Sequence, residues 1–292
     1  MKIAVASGKG GTGKTTIAVS LALAAADLSP GRTAVELLDC DVEEPNAHLF
    51  FSASSQPLFT PVQLTVPSLI NDRCHACGAC ARFCQFHAIA AFGTRPLLFA
   101  DMCHSCGGCI IICPHHALQA DAEQIGMVEQ TTAQGIALVT GRLQIGKALA
   151  PPVVRAVLGC SHGTADWTII DSPPGTSCSV VAATRQADYV ILVTEPTPFG
   201  LHDLKLAVEM VRILERPFGV MVNRATYDRR IHQFCASESI DLLAEIPDDR
   251  QIAAACSDGT ALLKAMPRYK ALFQGLLTTI RDKVQMQPEL RS

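Results

Sequence analysis

Two sets of residues in this chain have the types and the spacing to do chemistry. The first is a pair of cysteine runs, Cys74, Cys77, Cys80, Cys84 and Cys103, Cys106, Cys109, Cys113, which take eight of the thirteen cysteines. Both read C-x2-C-x2-C-x3-C, and every cysteine of the second run lies 29 residues after its counterpart in the first. This spacing suits three neighbouring thiolates that grip one iron–sulfur cluster while the fourth crosses to a second. It assigns Cys74, Cys77, Cys80 and Cys113 to one 4Fe–4S cluster, and Cys103, Cys106, Cys109 and Cys84 to another. The competing readings are a pair of structural zinc sites or a disulfide framework. Zinc favours C-x2-C pairs with a longer spacer, and a third cysteine this near crowds a tetrahedral ion. Disulfides fit poorly with a chain expected to lack a secretory signal.

The second set lies at the start of the chain. Lys2 to Ala6 is a short apolar run, followed by Ser7-Gly8-Lys9-Gly10-Gly11-Thr12-Gly13-Lys14-Thr15-Thr16. Gly8 to Thr15 satisfies G-x-x-x-x-G-K-S/T, the phosphate-binding loop, in the required context of a strand before and an alanine-rich helix (Ile17 to Leu28) after. Glycines here let backbone N–H groups turn onto phosphate oxygens, and the helix N-terminus adds its positive dipole end. Lys14 is expected to reach the β- and γ-phosphates, Thr15 to ligate Mg²⁺, and Thr16 to face the α-phosphate. ATP/ADP and Mg²⁺ are thus expected beside two 4Fe–4S clusters.

Lys9 narrows the motif. K-G-G-x-G-K-T-T resembles the deviant loop of MinD/ParA/Mrp-superfamily P-loop ATPases, a group that includes the nitrogenase iron protein. The resemblance implies that Lys9 reaches across an ATP-dependent dimer interface to the partner's nucleotide, where it stabilises charge on the transferring phosphoryl group. It also implies roles for further positions. Thr33 to Leu38 reads as a strand delivering Asp39-Cys40-Asp41, with Asp41 the carboxylate that orients the attacking water and Asp39 positioning the loop. Trp167 to Ile170 reads as a strand ending in Asp171, the carboxylate that touches Mg²⁺, before a second switch at Ser172-Pro173-Pro174-Gly175. Tyr189 to Val193 and Phe218 to Val222 read as buried parallel strands, and Asn223 stands where relatives hold the adenine amino group; the alternative for Asn223 is a turn cap.

The cysteine segment resembles bacterial-type two-cluster ferredoxins. Pro114 follows the last cysteine as that family expects, whereas Gln85 replaces the proline after the first run. Ala90 to Phe99 reads as a hairpin turning at Gly93-Thr94. His75, His87, His104, His115 and His116 are expected to be exposed or to pack near the clusters, since eight thiolates already complete both ligand sets. Among the other cysteines, Cys40, Cys160, Cys235 and Cys256 read as small apolar residues. Cys178, seven residues after Asp171, resembles in spacing the cysteine through which the nitrogenase iron protein shares a cluster between subunits, but a second ligand per subunit is missing.

These residues need an α/β scaffold to position them. The fold expected is a P-loop NTPase with a mostly parallel sheet covered by helices on both faces, plus a small α+β ferredoxin-like insertion. Because the phosphate loop precedes the cysteines and Asp171 follows them, the domains expected are 1–66 and 121–292 for the two parts of the ATPase and 67–120 for the insert. The borders are placed at the Pro-rich stretch Pro57 to Pro67 and at about Ala120.

A formal charge of −3, with no Lys/Arg run, gives no electrostatic case for nucleic acid. No stretch suits a bilayer, and the expected location is cytoplasmic. The apolar stripe Tyr269, Leu272, Phe273, Leu276, Leu277, Ile280 and Val284 could form a membrane-binding helix of the MinD kind, but such a stripe more often packs on its own sheet. The function expected is an ATP-gated electron carrier working as a nucleotide-dependent homodimer, or as a heterodimer with a paralogue, toward a redox partner. The alternatives are an ATPase that assembles or delivers a metallocofactor to a client, and a positioning ATPase with redox-sensing clusters.

Overall fold

The computed structural model describes residues 1–28, 35–161 and 163–286. The chain begins with β1 (Lys2–Ser7), α1 (Lys14–Leu28) and β2 (Val35–Asp39). Thr33 and Ala34, expected to begin this second strand, lie outside the described residues. A long strand, β3 (Leu58–Leu69), leads into the cysteine segment, which holds α2 (Ala79–Phe83), β4 (Ile89–Phe92), β5 (Arg95–Leu98) and α3 (Gly108–Ile111). The chain returns through β6 (Leu118–Ala133) and β7 (Ile136–Leu143). Alternation follows: α4 (Pro151–Gly159), β8 (Trp167–Pro174), α5 (Cys178–Thr184), β9 (Tyr189–Thr194), α6 (Pro198–Ile213), β10 (Phe218–Ala225), α7 (Arg230–Ser237) and β11 (Leu242–Pro247). The last helices are α8 (Arg250–Ser257), α9 (Leu262–Ala265) and α10 (Lys270–Gln285).

Nine strands form one sheet in the order β11-β10-β9-β1-β8-β2-β7-β6-β3. Pairing is parallel from β11 to β7, and β6 and β3 extend that edge antiparallel. The central strands are buried on both faces, so their residues divide by alternation between two cores. Ile3, Val5, Leu37 and Ile169 join one with α1 and α10, while Ala4, Ala6, Leu38 and Ile170 join the other with α4, α5 and α6. Continuous apolar runs are what such strands require. The stripe on α10 faces inward, with Phe273, Leu276, Leu277, Ile280 and Val284 buried against the first core. Among the described residues, no helix is long and apolar enough to cross a membrane.

The Pro57 to Pro67 stretch, expected to border the insert, is not a loop but an edge strand. It lies mostly within β3, where Pro61 and Pro67 pair opposite Met127 and Ala120. An edge strand tolerates proline because one row of its N–H groups has no partner to lose. The β3/β6 ribbon runs in register from Leu58↔Gln130 to Leu69↔Leu118, while β7 pairs only with Gly126–Ala133 of β6. The ribbon thus continues past the sheet and carries residues 70–117 at its far end.

That segment is built twice. The first copy's hydrogen bond from Ile70 N–H to the Ala117 carbonyl is answered by Phe99 N–H to the Ala88 carbonyl, both at 2.8 Å. Left-handed backbone recurs at the same 29-residue offset: Ala76 and Ser105 (φ 52° and 57°), Gly78 and Gly107 (71° and 70°), His87 and His116 (53° and 47°). The hairpin joining the copies, β4 with β5, turns at Gly93-Thr94 as expected.

Candidate functional site

The phosphate loop leaves the C-terminal end of central strand β1, between the ends of β8 and β9. This is where open α/β sheets bind ligands. Helix α1 starts at Lys14, three residues earlier than its apolar pattern suggested, so Lys14, Thr15 and Thr16 form its first turn. Gly13 has φ +89°, and a β-carbon there would stand 2.3 Å from the Asn223 amide nitrogen; the turn admits only glycine. Asn223 donates to the Thr12 carbonyl at 2.8 Å. It therefore holds the loop itself, while also lining, with Arg224, Ile246, Pro247 and Asp248, a small cavity on the Thr16 side. An open cleft of about 700 Å³ runs over Gly10 to Thr16 and is faced by Asp41, Glu43, Glu44 and Pro174.

The acidic residues converge on this cleft because β2 and β8 are neighbours with Asp39 opposite Asp171. Asp171 is fully buried and accepts from the Thr15 hydroxyl at 2.5 Å, while its other carboxylate oxygen is buried without a partner. Burial pushes the Asp171 carboxyl up to about 7, against the lowering effects of the Thr15 hydrogen bond and Lys14. Asp41 is raised to about 6, chiefly by burial, with Lys14 opposing and Glu44 and Glu43 adding. An orphaned carboxylate oxygen beside a hydroxyl is a donor set for a hard divalent cation, so Thr15 and Asp171 fit Mg²⁺. Asp39 has another task. It accepts from the backbone N–H groups of Asp41, Asn46 and Ala47 at 3.2, 3.1 and 3.0 Å, which fixes the loop that presents Asp41. Burial, then the neighbouring Asp171, pushes its own carboxyl well up.

The eight run cysteines line two separate cavities of the insert. Cys74, Cys77, Cys80 and Cys113 surround one, and Cys103, Cys106, Cys109 and Cys84 the other. Each cavity takes its fourth thiol from the opposite run. Burial raises the Cys80 thiol and, beyond the opposing backbone hydrogen bonds, Cys113 and Cys74 raise it further; Cys109 responds likewise to burial, then to Cys103 and Cys106. A bound metal removes that cost by taking up the thiolate charge. Among the described residues, no three ligating side chains close on a single ion. The insert's own core adds a physical reason for a cluster, since the apolar residues buried in it are few and mostly small: Ala88, Ile89, Cys109, Cys113, Ala117 and Leu118. So small a core does not carry a fold without staples.

The five histidines of the insert are exposed. His75 meets His115 beside the first cavity, and His104 stacks on Phe86 beside the second, with ring centroids 4.3 and 3.8 Å apart. Cys178 is exposed at the start of α5, and Cys160 lies apart, its thiol directed at the Ala156 carbonyl. Cys256 lines the nucleotide cleft, 3.8 Å from the Thr16 hydroxyl.

Sequence reasoning missed several residues. Glu195, just past β9, forms ion pairs with Lys9 at 3.0 Å and Arg224 at 2.6 Å. The signal available was its position, a carboxylate at the C-terminal end of a parallel strand. Lys147 bridges Asp101 at 2.6 Å and also pairs with Glu123, joining the insert to the ribbon and the body; no periodicity marks it.

The match to known proteins agrees with this geometry. Residues 3–262 match the CobQ/CobB/MinD/ParA nucleotide binding domain. An uncharacterized protein of Methanocaldococcus jannaschii is 32% identical over 248 residues, covering 85% of this chain and 86% of that one. An iron–sulfur cluster carrier protein of Pyrococcus abyssi is 24% identical over 282 residues, covering 90% and 79%. In fold, the chain superposes on the septum site-determining protein MinD of Pyrococcus horikoshii, complexed with Mg-ADP, with a TM-score of 0.56 at 20% identity and coverage of 94% and 93%. The chain belongs to the CobQ/CobB/MinD/ParA family of nucleotide-binding proteins, and it is an ATPase.

Proposed function

We propose that this ATPase gates two 4Fe–4S clusters held by the insert: Cys74, Cys77, Cys80 and Cys113 bind one, and Cys103, Cys106, Cys109 and Cys84 the other. In this reading residues 1–66 and 121–292 are the nucleotide body, Lys14 and Thr15 hold ATP and Mg²⁺, Asp171 anchors the cation, and Asp41 orients the attacking water. Lys9 acts across a dimer of two copies, and Asn223 braces the loop on the base side. The clusters supply one-electron chemistry when bound. The protein's own contribution is to vary their surroundings with the nucleotide.

The observation that carries this reading is a short mechanical path from switch to insert. The Val42 carbonyl, next to Asp41, accepts from the Leu143 N–H at 2.7 Å. Four residues later Lys147 grips Asp101, two residues before Cys103, together with Glu123 of β6. The Ser105 hydroxyl donates to the Thr65 carbonyl at 2.7 Å, tying the same loop to β3. Movement at Asp41 is therefore passed to the second cluster through two hydrogen-bonded links.

The delivery reading draws on a different observation, the iron–sulfur carrier name of relatives that span most of this chain. A redox titration with and without a non-hydrolysable ATP analogue separates the two. A nucleotide-dependent shift in midpoint potential with unchanged iron content supports the gated carrier. Equal potentials, with ATP-dependent loss of iron to an apo-ferredoxin acceptor, would turn the assignment to delivery.

A further inference from the structure

Lys9 is the cation whose proposed task lies on another subunit, yet in the monomer it is engaged. Its ammonium is 3.0 Å from one oxygen of Glu195, while Arg224 holds the other oxygen at 2.6 Å. Glu195 is nearly buried, and its side chain is 10% exposed. The backbone around it leaves no slack: its carbonyl accepts from the Thr197 N–H at 2.8 Å, and a β-carbon on Gly200 would lie 2.2 Å from that oxygen. Thr197 in turn caps α6 by accepting from the Gly200 N–H. Glu195 is thus a fixed carboxylate with two cations, and the cations differ. Lys9 sits on the phosphate loop, whereas Arg224 follows Asn223 at the end of β10, with φ +52° and a half-exposed side chain.

A buried carboxylate that loses its only cation is costly, because the remaining charge is stranded in a poor solvent. With two cations the cost of losing one is small. Lys9 can leave Glu195 provided that Arg224 stays. We propose that Glu195 is a parking site for Lys9, with Arg224 the stand-in cation that lets Lys9 be handed to the nucleotide of a partner subunit. Arg224 is well placed for this, because it also lines the cavity on the Thr16 side, beside Asn223. The inference rests on the proposed trans action of Lys9. It makes Glu195 a positioning residue that opposes dimer formation, and Arg224 one that promotes it.

The two roles predict effects of opposite sign, which a purely structural pair would not give. The test is sedimentation velocity of the full, metal-loaded chain at saturating Mg²⁺ and non-hydrolysable ATP analogue, with saturation verified for each variant. Glu195→Gln frees Lys9 and should tighten association on the order of tenfold, the worth of one hydrogen bond to a charged group. Arg224→Gln leaves Lys9 as the sole cation for Glu195 and should weaken association by a similar factor. The double variant has no carboxylate to satisfy and should resemble Glu195→Gln. Weaker or unchanged association in Glu195→Gln, or a shift of both single variants in one direction, overturns the parking role. Lys9→Ala separates this from the underlying reading. If it leaves association unchanged, the trans action itself is wrong; if it abolishes association while the other two variants move together, only the parking site fails.

Discussion

Around the phosphate loop, the sheet is sandwiched between two cores in which Ile3, Val5, Leu37 and Ile169 on one side and Leu38, Ile170, Val190 and Leu192 on the other are all but fully buried. The insert, by contrast, buries Ala88, Ile89, Cys109, Cys113, Ala117 and Leu118, of which two are cysteines and two alanines, and leaves Phe92 and Ile111 in solvent. Burial of apolar surface, at roughly 25 cal/mol per Å², can hold the first region together by itself. In the proposed reading the second takes its ligands as its core, so that the fold of the nucleotide body precedes its chemistry while the fold of the insert follows from it.

The harshest way to break this comparison is to remove the metal. Stripping iron from the full chain should abolish hydrogen-exchange protection across residues 70–117, because metal binding to such small units is itself folding free energy. Protection of β1 and β8 should persist, and ATP-analogue affinity should stay within about twofold, a free-energy change below the ~1 kcal/mol of a typical hydrogen bond. An insert that remains protected without iron would show that its few apolar contacts suffice.

The nucleotide side should break alone in the same way. Lys14→Ala should weaken ATP binding about a hundredfold, since charge-assisted bonds to two phosphates contribute roughly 1.5–3 kcal/mol each. Asp41→Asn should leave binding intact and slow hydrolysis by about 10²–10⁴, the usual worth of a positioned proton acceptor. Both variants should keep their full iron content. Equal loss of binding in the two variants would mark Asp41 as a structural residue, and loss of iron in either would mean that the two regions do not fold independently.

This division also explains what could be read from the chain alone. The phosphate loop was legible because phosphate binding imposes contiguous spacing, the grouping of the cysteines around two cavities because the runs repeat at a fixed offset, and the parallel strands because two-sided burial imposes apolar runs. The strand character of Pro57 to Pro67 was not legible, because its prolines hide a pattern that an edge strand accommodates. The partners of Lys9 were not legible, since Glu195 and Arg224 come from the ends of β9 and β10 and meet it only through the sheet order. Lys147 escaped for the same reason: its partners, Asp101 and Glu123, are brought together by the ribbon.

A smaller effect comes from pH. Burial raises Asp171 to about 7 and Asp41 to about 6, so the folded chain holds protons that the unfolded chain would release in the ordinary carboxylate range. The sign follows: this contribution to stability is complete below that range and is lost as pH rises through 6 to 7. Mg²⁺ must displace the proton on Asp171, so its affinity should rise with pH up to about 7 and then level off, while ATP-free stability falls over the same window. Calorimetric Mg²⁺ titrations at pH 5.5 to 8 in buffers of different ionisation enthalpy should show proton release that fades above pH 7. A pH-independent affinity would mean that Asp171 is already ionised. Asp171→Asn should remove the proton release without altering the insert.

The subtlest test asks whether the two regions communicate at all, and it turns on Lys147. Its ammonium is the tie between Asp101, at the entrance to the second cysteine run, and Glu123 in the ribbon, and it lies four residues beyond Leu143, whose N–H holds the first switch at Val42. The first run has no equivalent anchor among these contacts; its cavity is bounded by Leu69 and Leu118 at the ribbon's tip. Nucleotide should therefore shift the potential of the second cluster more than that of the first. Linkage requires reduction to change ATP affinity by the same factor, and a coupling of ~1–3 kcal/mol is typical of such sites. Lys147→Met keeps the side-chain length and removes the charge. Iron content, ATP affinity and the potential measured without nucleotide should stay close to wild type, because Lys147 pairs with an exposed Asp101 and a partly exposed Glu123, and ion pairs open to solvent contribute little to stability. The nucleotide-dependent shift at the second cluster should shrink to that of the first. Two clusters that respond equally in wild type, or a shift that survives in Lys147→Met, would place the coupling elsewhere, with the covalent β3/β6 ribbon left as the remaining connection between body and insert.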